Sequence, residues 1–246
     1  MSDCEIKELK EQLAQLIFEY DDLESHVCPE IEISYILEFG MDEYELYKIE
    51  LEIEKLERKL LLINAENGID LDRIEEKLND EFNESERQLQ IQLDEINHLK
   101  RNDVRRLPSK DLQKLRETYR MLIEKLHPDL NPNQNFLDLS LFIKAENSFK
   151  NDDLKALESV TRILPKGDNP EMPEAYDLKN SIREFEDKID EVKNDYPYNK
   201  KELLDNADSG NEYRKMLSDL MDDREDKAKR LENKIDESFK NQEKSL

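Results

Sequence analysis

Residues 46–63 read LYKIELEIEKLERKLLLI, and within them Leu46, Ile49, Ile53, Leu56, Leu60 and Ile63 recur at alternating steps of three and four. That spacing keeps one apolar stripe on one side of a helix, which is the seam of a coiled coil. The same spacing resumes with Leu71, Ile74, Leu78 and Phe82 and continues through Leu89, Leu93, Ile96 and Leu99. In the gap, Asn67-Gly68 reads as a helix C-terminal cap and Asp70 as an N-cap. So short a connection predicts an antiparallel helical hairpin over 41–101.

Outward from the hairpin the style persists. Ile6, Leu9, Leu13, Leu16, Tyr20 and Leu23 predict a first helix that stops before Pro29, and a short helix follows over 31–39 with a stop at Gly40. Near the other end, Ala175, Leu178, Ile182, Phe185, Ile189, Val192 and Tyr196 give another stripe, broken at Pro197. A polar turn is expected at Asp208-Ser209-Gly210, then a last helix carrying Tyr213, Leu217, Leu220, Leu231 and Ile235, its seam interrupted by Arg224 and Lys227. The expected fold is all-α, with elongated antiparallel coiled-coil helices flanking a small central unit. Four segments are read: N-terminal helices over 1–40, the hairpin over 41–101, the central unit over 102–164, and C-terminal coiled-coil helices over 165–246.

Composition agrees. Of 246 residues 41% are charged, 36% are hydrophobic and four are glycine, against the roughly 45–50% apolar content of ordinary domains. Glycine-rich nucleotide folds and large sheets are disfavoured. No stretch approaches the roughly 20 apolar residues that span a bilayer, and no basic-then-apolar start suggests a signal peptide. Cys4 and Cys28 cannot build a disulfide framework, so a cytoplasmic protein without membrane contact is expected. His26 and Cys28 stand two apart without a second ligand pair, so neither metal nor cofactor is expected. The carboxylates occupy ordinary solvent positions on the coils, and no nucleophile–base pattern or phosphate loop marks an enzyme.

The net charge is −24, and it is uneven: residues 1–99 carry −20, residues 100–126 carry +5 and residues 127–246 carry −9. A polyanion would be repelled almost everywhere, which argues against nucleic acid as partner. A short basic helix in an acidic chain suits docking on an acidic protein surface. That helix starts near Ser109, a plausible N-cap, and places Leu112, Leu115, Tyr119, Leu122, Ile123 and Leu126 on one face, with Lys114, Arg116, Arg120 and Lys125 mostly on the other. The loop His127-Pro128-Asp129-Leu130-Asn131-Pro132-Asn133 follows, and then a helix carrying Leu139, Phe142, Ala145 and Phe149.

Helix, His-Pro-Asp loop and helix together resemble the J domain of DnaJ-type co-chaperones. That family's second helix carries a Tyr-Arg pair eight residues before the histidine, where this chain has Tyr119-Arg120. Its third helix carries phenylalanine followed six and seven residues later by Ala-Tyr, here Phe142 and Ser148-Phe149. The resemblance spans about 40 of the 246 residues. The family's short opening helix has no counterpart between Leu99 and Ser109, and the end of the preceding long helix is the expected substitute. The fourth-helix basic motif and the glycine/phenylalanine, zinc and client modules are also missing.

The resemblance implies a chaperone-type protein–protein interaction. Asp129 would accept hydrogen bonds from an arginine of a DnaK-type (heat-shock seventy) ATPase, and His127 and Pro128 would shape a sharp, solvent-facing corner. Lys114, Arg116, Arg120 and Lys125 would meet acidic partner surface, while Leu115, Tyr119, Leu122, Phe142 and Phe149 form the core. The function so implied is stimulation of the partner's ATPase, the arms choosing client or location; the sequence leaves open whether the arms pair within one chain or between chains as a homo-oligomer. The alternative is a coiled-coil scaffold in which a degenerate J-like unit is only a spacer.

Overall fold

A computed structural model describes residues 3–65, 71–101, 107–164 and 174–243, and among these every regular element is helical. In chain order they are α1 (Asp3–Asp22), a π-helical turn (Leu23–Val27), α2 (Cys28–Ala65), α3 (Leu71–Arg101), α4 (Ser109–Leu126), α5 (Phe136–Lys150), α6 (Leu154–Ile163), α7 (Ala175–Asn194), a 3₁₀ turn (Tyr198–Lys200), α8 (Lys201–Asp205) and α9 (Ala207–Glu243). None of the described helices is long and apolar enough to cross a membrane. The caps expected at Asn67-Gly68 and Asp70 lie outside the described residues.

Contacts divide the chain into two units, Met1–Glu32 with Arg105–Lys201, and Ile33–Val104 with Glu202–Leu246. This cuts across the four segments read from the sequence. The N-terminal segment joins the loop-bearing helices only as far as Glu32, and the C-terminal segment is split, α7 going to the first unit and α9 to the second. The physical reason lies in burial. In the first unit α1 and α7 add Leu13, Ala14, Ile17, Phe18, Leu178, Ile182 and Phe185 to one continuous core with Leu115, Tyr119, Leu122, Phe142 and Phe149. A helix pair with a narrow stripe could not cover these aromatics alone.

In the second unit α2, α3 and α9 lie side by side. Ion pairs Lys55–Glu86, Arg58–Glu81 and Lys59–Glu75 join α2 to α3 with residue numbers running in opposite senses, so that pair is antiparallel. Glu38–Arg214, Glu50–Arg224 and Glu57–Lys227 rise together, so α9 runs parallel to α2. Arg224 and Lys227 therefore do not weaken a seam; they rim it. Small apolar clusters fill the interior, with Leu62, Ile63, Ile74, Leu78 and Ile235 in one and Ile53, Ala228 and Leu231 in another.

Three expected breaks are absorbed into helices. Pro29 does not stop the first helix but sits in the first turn of α2, directly after the π turn. There the Cys28 N–H reaches back to the Leu23 carbonyl. A proline in a helix lacks its own N–H and crowds the carbonyl four residues back, here that of Ser25, and one widened turn relieves that clash. Gly40 lies buried in mid-α2, where a Cβ would meet Ile36 Cγ2 at 3.2 Å and Ile96 Cγ1 at 3.5 Å. It lets α3 approach closely rather than ending a helix. Asp208-Ser209-Gly210 is the first turn of α9, capped by Asn206, whose Oδ1 accepts from the N–H of Asp208 at 3.0 Å and of Ser209 at 3.3 Å.

Candidate functional site: the loop between α4 and α5

The helix α4 forms because its apolar residues recur on one face, and Leu115, Tyr119, Leu122, Ile123 and Leu126 are all buried. It is entered from Pro108, not Ser109: the Pro108 carbonyl accepts from the N–H of Asp111 at 2.8 Å and of Leu112 at 3.0 Å, and Ser109 is already helical. At the other end Pro128 forces the preceding residue out of the helical region, and His127 is extended at φ −67°, ψ 133°.

Asn131 then closes the helix end. It is 7% exposed, and its Nδ2 donates to the carbonyls of Glu124 and His127, each at 3.2 Å. The Glu124 carbonyl, whose helical partner would be the N–H that Pro128 lacks, is thereby capped, while the His127 carbonyl also accepts from the N–H of Leu130 at 3.1 Å and of Asn131 at 2.9 Å. Leu130 is buried beside it. Asn135 caps α5, its Oδ1 accepting from Leu137 N–H at 2.8 Å and Asp138 N–H at 3.0 Å.

Within this frame His127 and Asp129 part company. The sequence reading put both on a solvent-facing corner, but the His127 ring turns inward. It stands edge-on to Phe142 with centroids 4.9 Å apart and to Phe185 at 6.2 Å. Its Nδ1 accepts from the Asp129 N–H at 3.2 Å, which places the neutral ring's proton on Nε2. Burial holds its pKa below the ordinary histidine value, overriding the nearby Asp129 and Glu146 carboxylates. Pro128 is half-buried, whereas Asp129 is exposed and its carboxylate has no partner among the described residues.

The core residues lie where the sequence put them. Leu115, Tyr119, Leu122 and Phe149 are fully buried, and Phe142 nearly so. Tyr119 stacks on Phe149 with centroids 4.1 Å apart and 10° between planes. Above this stack lies α1, with Phe18 6.1 Å from Phe149. The place expected for the end of the long preceding helix is thus taken by the N-terminal helix, from nearly a hundred residues upstream.

That substitution recruits the basic residues. Arg116 Nε donates to Asp22 Oδ1 at 2.9 Å, and the Arg120 guanidinium lies 4.4 Å from the Phe18 ring centre. Lys114 pairs with Glu158 of α6, and Lys125 is exposed without a partner among the described residues. Arg116, Arg120, Phe18, Leu107, Leu112 and Met121 line an open cavity of about 770 Å³ along α4.

Sequence reasoning missed Asn131 and the α1 carboxylates. Asn131 stands five residues past the last residue of α4, beyond the position at which asparagine ordinarily marks a helix end. The pairing of Asp21 with the Tyr119 hydroxyl, at 2.6 Å across 98 residues, leaves no local trace. Among the described residues no group of three or more histidine, cysteine or acidic side chains is arranged to hold a metal. Compared with known proteins, the chain matches no family model, no curated protein and no solved structure.

Proposed function

We propose that the first unit is a docking module of the J-domain type, which engages a DnaK-type chaperone through Asp129 and stimulates its ATPase. The observation that carries this reading is the contrast inside one loop. His127, Leu130 and Asn131 are each packed or hydrogen-bonded inward, whereas Asp129 is exposed and its carboxylate makes no hydrogen bond or ion pair among the described residues. A carboxylate held on so constrained a loop loses little freedom when an arginine of the partner pairs with it. No catalytic role is assigned to this chain; ATP hydrolysis belongs to the partner.

A second reading has one observation in its favour. Lys114, Arg116 and Arg120 are engaged within the unit, so the basic helix has less charge to offer than its sequence suggests, as in a scaffold. Steady-state ATP turnover by a DnaK-type chaperone, with and without this protein, distinguishes the two. Stimulation is expected, and Asp129→Asn should reduce it at least about tenfold, the lower range for breaking a close interfacial charge pair. No stimulation by the wild type, or full stimulation by the variant, favours the scaffold.

A further inference from the structure

Beside the loop stands a helix that the J-domain resemblance does not contain. The His127 ring lies edge-on to Phe142 of α5 and to Phe185 of α7, so α7 borders the loop that carries Asp129. Three charged side chains act on that ring through space: Asp129 of the loop, Glu146 of α5 and Lys188 of α7. Glu146 is taken by Lys150 at 2.6 Å. Asp129 and Lys188 are both exposed, and the side chain of neither makes a hydrogen bond or ion pair among the described residues.

Lys188 is nevertheless held. Glu184 and Glu191 stand four residues before it and three after it on the same helix, the spacing at which surface ion pairs form, yet it pairs with neither. Its ammonium lies instead over two rings, 4.7 Å from the Phe185 centroid and 5.8 Å from that of Tyr20, and these rings meet edge-on at 5.8 Å. Attraction to the ring faces restrains the long stem while the N–H donors stay in water. A cation so restrained loses less freedom on pairing than a lysine loose in solvent. Phe185 thus packs on His127 and carries Lys188, which ties the position of the ammonium to that of the loop.

The cations of α4 are less free. Lys114 pairs with Glu158, Arg116 with Asp22, and Arg120 lies against Phe18. Lys193, further along α7, is taken by Glu19 at 2.6 Å.

We propose that α7 forms part of the docking face and that Lys188 is its cationic contact, the partner surface that offers an arginine to Asp129 offering a carboxylate beside it to Lys188. This rests on the docking reading of Asp129. Two unpaired charges of opposite sign, borne on different elements around one packed ring, also fix orientation. A partner turned end for end would set like charges against each other. Lys188 is a water-exposed rim contact, so it governs encounter and affinity rather than the turnover reached at saturation.

The test is ATP turnover by a DnaK-type chaperone titrated with the full chain at low salt. Lys188→Gln removes the charge and keeps a polar side chain. It should raise the concentration giving half-maximal stimulation about two- to fivefold, the range for an exposed charge pair. Lys188→Glu should raise it further, with the maximum at the wild-type level, and both shifts should shrink as salt is added. The exposed Lys179 lies nine residues before Lys188, about two and a half turns, and so on the opposite side of α7. Lys179→Glu makes the same change of charge there and should leave the titration unchanged. If the wild type stimulates but Lys188→Glu shifts the curve no more than Lys179→Glu does, the role of Lys188 is overturned while the docking reading stands. A wild type that does not stimulate overturns both.

Discussion

The two units solve the problem of a highly charged chain in opposite ways. In the first, α1, α4, α5, α6 and α7 enclose one continuous core, with Tyr119, Phe149, Leu115, Leu122 and Ile123 wholly inaccessible. In the second, long helices bury narrow stripes in small separate clusters and line their margins with ion pairs. The difference teaches where precision is needed. On the proposed docking role, a loop that holds Asp129 in one place needs its flanking helices pinned in three dimensions, which a dense core provides. A long helical seam needs only periodicity, so losses along it should stay local.

The largest expected effects break one core in each unit. Ile182→Asp in α7 and Ile53→Asp in α2 each put a charge at a site no more than 6% exposed. Each should cost about 3–5 kcal/mol in urea unfolding. The comparison is sharpened by where the damage spreads. Ile182→Asp should raise hydrogen exchange throughout α4 and α5, because they share its core, whereas Ile53→Asp should raise it mainly near Ala228 and Leu231. Equal spreading in both variants would erase the distinction drawn between the units.

A step smaller are the glycines of the second unit. At Gly210 a Cβ would lie 2.7 Å from the Leu203 backbone carbonyl, which cannot move aside as a side chain can. Gly210→Ala should therefore cost about 1–3 kcal/mol despite the gain in helix propensity. At Gly40 the nearest atoms are side-chain methyl and methylene groups of Ile36 and Ile96. There the propensity gain of about 1 kcal/mol largely offsets the crowding, so Gly40→Ala should melt within a few degrees of wild type. A reversal of that order would mean that α2 and α3 approach more tightly than α8 and α9.

These glycines also mark where sequence reading stops. The stripes of α3 and α7, the inward face of α4 and the aromatic core were legible because period and burial are local properties. Pro29, Gly40 and Gly210 read as breaks by the same local logic, and each was overruled by something non-local: a widened turn, a helix crossing, a backbone contact. The site shows the same division. The loop, its exposed Asp129 and its supporting aromatics could be read from the chain, but the basic residues could not be assigned. Arg116 meets Asp22 across 94 positions, and no spacing rule encodes that.

Within the first unit the loop should fail by degrees. Asn131→Ala leaves the carbonyls of Glu124 and His127 without their side-chain donor and should cost about 1–2 kcal/mol. If Asp129 docks as proposed, it should also weaken stimulation of the partner more than a core change of equal thermodynamic cost. The His127 contribution depends on pH, and its sign is fixed. Because burial lowers its folded pKa below the unfolded value, the native ring takes up its proton later than the unfolded one as pH falls. Stability is full above about pH 6.5 and declines on acidification below that, until the native ring also protonates. His127→Phe should flatten this part of the melting profile, and an unchanged slope below pH 6.5 would show that the ring is not held neutral. Asp21 runs the other way, losing stability as pH rises through about 4 to 6, so the contributions of the two groups are separable by sign.

The smallest effect belongs to the ion pairs that rim the second unit. Arg58 meets Glu81 with both oxygens engaged, Nε to Oε2 and Nη2 to Oε1, each at 2.6 Å. That geometry is as favourable as a carboxylate and a guanidinium achieve. Yet side-chain exposure is 41% and 40%, so water and salt screen the attraction and ordering two long side chains offsets much of the rest. Glu81→Gln should therefore lower Tm by only about one or two degrees in dilute buffer, and that difference should vanish near 1 M salt. A loss comparable to Ile53→Asp would mean that the rim holds α2 and α3 together. The apolar clusters would then be incidental, and the contrast between a core-built unit and a seam-built one would become a contrast between apolar and ionic cohesion. The salt titration decides it, because hydrophobic seams are not weakened by salt and screened pairs are.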